Sequence, residues 1–290
     1  MPVRTTSAPP GIEPDLARAL ALKANDLRRE LVKMFGMAGG GHYGGSLSAA
    51  EIVAVLYFDV LRIRPDDPRW PERDRFILSK GHAAPALYAA LCDRGFFSRE
   101  VLDHFEEPGN PLTMHPNMRK VSGVDASTGS MGHGLPIGVG MCLGGRLDGM
   151  DYRTFVLLGD GETEEGSVWE AVMCAAHYRL DRLVAIVDRN CLSCDGVIDD
   201  LQRQAGFAGR WEAFGWTVRE VDGHSVAELA SALRSVPFRR GSPSVLIAHT
   251  VKGKGISFME NAPGFHRANI SPEQTQLALA EISAQREAIR

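Results

Sequence analysis

The most constraining feature of this sequence is a glycine–aspartate–glycine turn that follows directly on a short apolar run. The run 154–158 leads into the turn, with Asp160 at its centre, and a second apolar run, 183–187, ends shortly before Asn190. A helical pattern over about 167–177 separates the two runs, which predicts two parallel strands joined by a helix. In such a unit both polar residues follow the carboxyl ends of neighbouring strands, where α/β sheets bind ligands.

The turn has the chemistry of a metal–phosphate site. Gly161 lets the backbone approach a phosphate closely, and the helix that follows adds its N-terminal NH groups. A carboxylate and an amide oxygen are hard ligands that suit Mg²⁺, with Ca²⁺ or Mn²⁺ as alternatives. Asp-Gly is also among the commonest turn pairs, so an ordinary turn is the alternative for this motif alone. The carboxylates Glu162, Glu164 and Glu165 are typical of a helix start.

Short apolar runs and the helical patterns between them predict the fold class. The runs are typical of buried parallel strands and cover 76–78, 154–158, 183–187, 217–221 and 245–248. Their alternation with helices predicts an α/β fold with a doubly wound, mostly parallel sheet and helices on both faces. We expect a flexible segment at 1–14 and a single domain over 15–290.

Several predicted helix starts carry a capping-box pattern, in which Ser is followed three residues later by Glu or Gln. The patterns are Ser48 with Glu51, Ser225 with Glu228, and Ser271 with Gln274. An earlier helix is predicted from about Asp15, because apolar residues recur there at helical spacing as far as Phe35.

Charge and composition exclude several classes of protein. The net charge is −4 and no long Lys/Arg run exists, which argues against nucleic acid or an anionic membrane as partner. No apolar run approaches the roughly 18 residues of a membrane span, and the first residues lack a secretory pattern. Cys191 and Cys194 have redox or zinc spacing, but no second pair accompanies them. We expect a cytoplasmic protein that binds neither nucleic acid nor membrane.

Histidines recur beside glycines and other small residues. They are His42 in GHYGGS, His82 in LSKGHA, His115 in MHPN and His266 in GFH. Each alone is more typical of a packed or solvated histidine. Together with STGSMGHG at 127–134 and the GDG turn, however, they match one family in order and spacing. From about Asp15 to His266 the chain resembles the N-terminal, diphosphate-binding part of transketolase, a thiamine diphosphate enzyme.

The resemblance implies ligands for a metal and a cofactor. Asp160, Asn190 and the backbone carbonyl of Leu192 match the positions that hold Mg²⁺. The implied cofactor-binding residues are His82, Gly129, Ser130, Met131, Gly161, Glu165, Asn190 and Lys252. Within this set, Gly161 and Lys252 match contacts to the diphosphate, and 129–131 match a backbone shelf beside the cofactor rings. Glu165 matches a glutamate near a subunit interface.

The resemblance also implies catalytic roles for the histidines. His42, His115 and His266 match residues around the substrate, and His82 matches one on the cofactor side. Thiamine diphosphate supplies the carbanion chemistry, while the protein binds, orients and polarises. Imidazoles can donate to a carbonyl oxygen that gains charge and can relay protons near neutral pH. The implied activity is transfer of a two-carbon ketol unit from a ketose or ketose phosphate to an aldose.

A partner chain is the further implication. Complete transketolases carry a pyrimidine-binding domain, and the sequence ends in a predicted helix at 271–290 without a match to it. We therefore expect a split transketolase that is active only with a pyrimidine-binding subunit, in an α2β2 assembly. One alternative is a thiamine diphosphate-dependent carboligase or synthase subunit in a specialised biosynthetic or sugar-catabolic pathway. The other is a non-catalytic cofactor-binding protein.

A few positions depart from the family pattern. Asn117 follows the MHP segment where an acidic or apolar residue is usual, His133 stands where glutamine is usual, and Arg267 stands where glycine is usual. Because these positions lie near the substrate or cofactor in the family, the identity of the sugar stays open.

Overall fold

Parallel strands form the sheet of this protein, whose computed structural model describes residues 11–290. The strands are β1 (Arg75–Leu78), β2 (Thr154–Gly159), β3 (Leu183–Arg189), β4 (Thr217–Asp222) and β5 (Ser244–His249). Their order across the sheet is β1-β2-β3-β5-β4, and every neighbouring pair is parallel. The predicted strands and the α/β fold class are confirmed.

Helices connect the strands and precede the sheet. They are α1 (Pro14–Met37), α2 (Tyr43–Ser48), α3 (Ala50–Val55), α4 (Ala84–Asp93), α5 (Arg99–Asp103), α6 (Gly134–Leu147), α7 (Gly166–His177), α8 (Ile198–Leu201), α9 (Phe207–Ala213), α10 (Val226–Arg234) and α11 (Pro272–Ile289). Of the predicted N-terminal segment 1–14, positions 1–10 lie outside the described residues, and Pro14 already opens α1. Within residues 11–290, no helix is long and apolar enough to span a membrane.

Helices cover both faces of the sheet. Alternate residues of a strand point to opposite faces. On one face Phe155 and Leu157 belong to a core that includes residues of α1, α3, α4 and α10. On the other face Val156 and Leu158 pack with residues of α6, α7 and α9. Burial on both faces explains why the strands are continuous apolar runs.

Two of the predicted helix starts are confirmed. At α11 the Ser271 hydroxyl accepts the Gln274 N–H, and the Gln274 side chain accepts the N–H of Ser271. At α10 the Ser225 hydroxyl accepts the Glu228 N–H at 3.3 Å. These contacts satisfy N–H groups that have no partner within the helix.

The predicted capping box at Ser48 is wrong. Ser48 is the last residue of α2, and its hydroxyl donates to Oδ2 of Asp188 at 2.6 Å. Glu51 instead pairs with Arg28, at 2.5 Å in a buried contact. Both side chains therefore bind residues that are distant in sequence. A buried charge without a partner costs more free energy than a helix start without a cap.

Candidate functional site

A cavity of about 350 Å³ opens at the carboxyl edge of the sheet, beside the GDG turn. It is lined, among others, by Gly45, Lys80, His82, Met131, Asp160, Gly161, Glu162, Asn190, Leu192, Lys252 and His266. These residues are distant in sequence, and they meet because β1, β2, β3 and β5 all end at this edge. The structure thus brings together the predicted metal ligands, Met131, Gly161, Lys252 and two of the predicted histidines.

A larger cavity, of about 670 Å³, includes arginines that lie just before strands, at the opposite edge of the sheet. Arg62 and Arg153 both hydrogen-bond to the buried Asp74, and Arg182 donates to the Asp151 carbonyl. The arginines that line this larger cavity are therefore largely paired with other groups of the protein. None of the predicted site residues lines it, so the cavity at the carboxyl edge is the candidate site.

Asp160 sits at the base of the candidate site and is 2% exposed. Its Oδ1 accepts the Gly161 N–H at 2.9 Å, and its Oδ2 accepts the Cys191 N–H at 2.6 Å. The carboxylate therefore links the ends of β2 and β3. Burial, followed by the charge of Asp188, raises the pKa of Asp160 to about 6. A bound cation would favour its ionised form.

Asn190 and Leu192 complete the predicted metal ligands. Asn190 Oδ1 accepts the Leu192 N–H at 3.2 Å, and the Leu192 carbonyl accepts from Lys252 Nζ at 2.6 Å. Within residues 11–290, no three His, Cys, Asp or Glu side chains could together hold a metal. A site here depends on a carboxylate, an amide and a carbonyl, and these hard oxygen donors fit Mg²⁺.

All four predicted catalytic histidines form one cluster. The ring centroids of His42 lie 5.3 Å from His82, 5.6 Å from His266 and 6.4 Å from His115. The rings of His82 and His266 are 5.3 Å apart and line the cavity itself. The cluster therefore begins in the cavity and continues beside it through His42 to His115.

Three imidazoles of this cluster, those of His42, His82 and His266, are held in the neutral form. Burial, with smaller contributions from nearby charged groups, lowers the pKa of His42 and of His266 to about 4. The same causes hold the pKa of His82 well below its usual value. A neutral imidazole has one N–H donor and one nitrogen acceptor. Because Nδ1 of His42 has no partner among the described residues, this ring can both donate to an oxygen and accept a proton.

Lys252 lies between the loop that carries Leu192 and Ser193 and the histidines. Its Nζ is 2.6 Å from the Leu192 carbonyl, 2.9 Å from the Ser193 carbonyl and 3.1 Å from His266 Nδ1. Burial, followed by the charge of Lys80, lowers the pKa of Lys252 to about 8. The side chain therefore stays mostly protonated at neutral pH and offers a cation to a diphosphate.

The predicted backbone shelf, 129–131, and the predicted interface residue, Glu165, lie around the cavity rather than at its base. A Cβ on Gly129 would come within 3.1 Å of the His115 ring, so the close approach there requires glycine. Met131 lines the cavity, whereas Ser130 is exposed nearby. Glu165 is exposed at the start of α7. Its role at a subunit interface stays a prediction.

A buried ion pair lies beneath the cavity, and the sequence motifs did not predict it. Lys80 and Asp188 are 2% and 0% exposed and pair with each other. The Ser48 and Thr250 hydroxyls also donate to this carboxylate. Burial opposes ionisation of Asp188, but Lys80 and the hydroxyls outweigh it and lower its pKa. The available signal was an aspartate directly after the apolar run of β3, because a buried charge requires a partner.

Glu162 lies in the first turn of a short 3-10 helix over 161–164, as predicted for a helix-start carboxylate, but its side chain also binds neighbouring segments. The residue is 2% exposed, and its Oε1 accepts the Gly132 N–H at 2.8 Å and the Ser79 hydroxyl. Its Oε2 accepts the Gly159 N–H at 3.0 Å. Glu162 therefore joins the loop before α6 to the ends of β1 and β2, and so positions three walls of the site.

Comparison with known proteins identifies the family. Residues 21–286 match the family described as transketolase, thiamine diphosphate binding domain. Over 264 residues the chain is 43% identical to an apulose-4-phosphate transketolase subunit of Phocaeicola vulgatus, covering 91% of this chain and 94% of that protein. Over 260 residues it is 42% identical to 6-deoxy-6-sulfo-D-fructose transketolase subunit SqwG of Clostridium sp. strain MSTE9, covering 90% and 94%.

Longer relatives match over less than half of their length. Human transketolase is 41% identical over 276 residues, which are 94% of this chain and 44% of the human protein. The crystal structure of transketolase from Campylobacter jejuni superposes with a TM-score of 0.85 at 29% identity, covering 91% of this chain and 42% of that one. The chain therefore belongs to the family of transketolase thiamine diphosphate-binding domains.

Proposed function

We propose that this chain is the thiamine diphosphate- and Mg²⁺-binding subunit of a two-chain transketolase. Together with its partner chain it transfers a two-carbon ketol unit from a ketose or ketose phosphate to an aldose. The observation that carries the proposal is the cluster of four histidines beside a turn of oxygen donors. Similarity to two proteins named as transketolase subunits supports a pyrimidine-binding partner chain. An α2β2 assembly and a cytoplasmic location are proposed by analogy with the family.

The residues around the cavity fit the cofactor and its metal. Asp160, Asn190 and the Leu192 carbonyl would hold Mg²⁺, and Lys252 would contact the diphosphate. A Cβ on Gly45 would lie 3.1 Å from His82 Nε2, so the bare backbone there leaves the wall of the cavity open. When bound, thiamine diphosphate supplies the carbanion chemistry of the reaction.

The histidines provide hydrogen bonds and proton transfer to the sugar. His42 and His266 would face its hydroxyls and carbonyl oxygen, with His115 on the far side of His42. An imidazole N–H can donate to the oxygen that gains negative charge, while the other ring nitrogen accepts a hydroxyl proton. Because its low pKa keeps His42 neutral, both functions are available to this ring at neutral pH.

The role of His42 can be separated from cofactor binding. We expect His42→Gln to lower turnover of the assembled enzyme by about a hundredfold or more, because glutamine cannot relay the proton. Cofactor affinity, measured by calorimetry on the same sample, should change less than about threefold. His104→Gln, on an exposed histidine paired with Glu107, is the control. Unchanged turnover in His42→Gln would show that the substrate role is misassigned.

The partner requirement is tested with the purified chain and with the chain co-expressed with a pyrimidine-binding subunit. Native mass spectrometry in thiamine diphosphate and Mg²⁺ should detect a heteromer that holds the cofactor. The heteromer should transfer ketol units, whereas the chain alone should give no detectable transfer. Ketol transfer by the pure chain would contradict the split-enzyme proposal. A cofactor-loaded heteromer that transfers no ketol unit from any ketose would leave only a binding protein.

A further inference from the structure

His224 lies in the turn between β4 and α10 and has no role in the proposed reaction. Its side chain is 14% exposed, and both of its ring nitrogens have partners. Nε2 lies 2.8 Å from the backbone nitrogen of Val251, and Nδ1 lies 3.1 Å from Glu51 Oε2. The ring therefore connects three segments that are distant in sequence: helix α3, the turn before α10 and the loop after β5.

These contacts fix the tautomer of His224. A backbone N–H can only donate, so Nε2 must be the unprotonated acceptor in the contact with Val251. The proton of the neutral ring is then on Nδ1, where it donates to Glu51. Arg28 donates to the same carboxylate oxygen at 2.5 Å. Burial opposes ionisation of Glu51, but Arg28 and His224 outweigh it and lower its pKa, so the carboxylate stays charged.

The N–H that His224 accepts directly precedes Lys252, the proposed diphosphate contact. On the other side of Lys252, the Gly253 N–H donates to the Gly44 carbonyl at 3.0 Å. The lysine stem lies against the same segment, because a Cβ on Gly44 would come within 2.9 Å of Lys252 Cγ. The backbone around Lys252 is therefore anchored on both sides, by a side chain at Val251 and by a backbone carbonyl at Gly253.

We infer that His224 is a positioning residue for cofactor binding, which accepts the Val251 N–H and so holds Lys252 in place to contact the diphosphate. The inference rests on the proposed function, because it takes Lys252 to be a ligand of the diphosphate. His224 does not line the cavity. It therefore acts on the cofactor only through the backbone of the loop after β5.

The test measures thiamine diphosphate affinity by calorimetry, with Mg²⁺, on the complex with the pyrimidine-binding partner. His224→Leu removes the acceptor and should weaken binding about tenfold. His224→Gln should recover most of the loss, because its amide oxygen can accept the Val251 N–H while its NH₂ group donates to Glu51. The control is His104→Leu, at an exposed histidine that also pairs with a glutamate, Glu107. It should leave the affinity unchanged.

A double-mutant cycle separates the positioning of Lys252 from a general effect on folding. Lys252→Met alone should weaken thiamine diphosphate binding at least about thirtyfold, because it removes the cation. In that background His224→Leu should cause less than about a twofold further loss, since no cation remains to be positioned. Full additivity of the two losses, or no loss in His224→Leu alone, would overturn the inference.

The tautomer provides a measurement that does not depend on how well His224→Leu folds. In solid-state ¹⁵N NMR of the complex with labelled histidine, the signals that disappear in His224→Gln belong to His224. At neutral pH they should show a protonated Nδ1 and an unprotonated Nε2. A protonated Nε2 would overturn the inference, because such a ring cannot accept the Val251 N–H.

The same measurements distinguish the inference from the proposed function. A loss of affinity in Lys252→Met with none in His224→Leu would refute the positioning role alone. Unchanged affinity in Lys252→Met would refute the proposed diphosphate contact, and the positioning role with it. Ketol transfer by the wild-type complex tests the reaction separately.

Discussion

Asp160→Asn should abolish Mg²⁺-dependent retention of thiamine diphosphate and weaken cofactor affinity at least about a hundredfold. Asp160 supplies the carboxylate of the predicted metal ligands, whereas Asn190 and Leu192 offer neutral oxygens. An amide at this position keeps the size of the side chain but removes the negative charge that the metal requires. Calorimetric titration of thiamine diphosphate into the complex, with and without Mg²⁺, measures the loss.

The control for this substitution is Asp200→Asn, which removes an exposed carboxylate from the neighbouring helix α8. Its cofactor affinity should match that of the wild type. The unfolding temperature of each cofactor-free variant checks that the turn between β2 and β3 still forms, since Asp160 also accepts two backbone N–H groups. Unchanged Mg²⁺ dependence in a folded Asp160→Asn variant would show that the metal lies elsewhere.

Lys80→Met should lower the free energy of unfolding by about 3–5 kcal/mol, because it leaves the Asp188 carboxylate buried without its ion pair. The Ser48 and Thr250 hydroxyls can still donate to that carboxylate, but they carry no compensating charge. The double substitution Lys80→Met with Asp188→Asn should recover part of the loss, since an amide oxygen can accept the same hydroxyls. Urea unfolding of the purified chain measures both variants against the wild type.

A surface pair of the same residue types provides the control. Lys23 and Asp93 form an ion pair with side chains 38% and 41% exposed, and Lys23→Met should cost less than about 1 kcal/mol. If Lys80→Met and Lys23→Met lower the free energy of unfolding equally, burial does not explain the contribution of the Lys80–Asp188 pair to stability. If the double variant is no more stable than Lys80→Met, the loss of stability comes from the lost packing of the lysine side chain and not from the unpaired carboxylate.

The strands were predictable because each one is a local pattern. A parallel strand covered on both faces must be apolar along its length, and turn residues mark its end, so β2 and β3 can be recognised without their neighbours. The start of α11 was predictable for the same reason, since Ser271 and Gln274 are only three residues apart. Where the relevant partner is distant, local patterns misled. Ser48 and Glu51 have the spacing of a cap, yet their partners are Asp188 and Arg28.

The candidate site follows the same division. The sequence by itself determined which residues are candidates for the chemistry, because Asp160 and the four histidines stand in recognisable short motifs. Only the tertiary structure decided how they meet: the histidine rings lie 5.3–6.4 Å apart. It also decided that Lys80 and Glu162 hold the walls of the cavity together. The sequence predicted no role for Lys80, and it predicted only a helix-start carboxylate at Glu162. Such partners stay hidden in a sequence because burial and Coulomb interactions depend on distance in space.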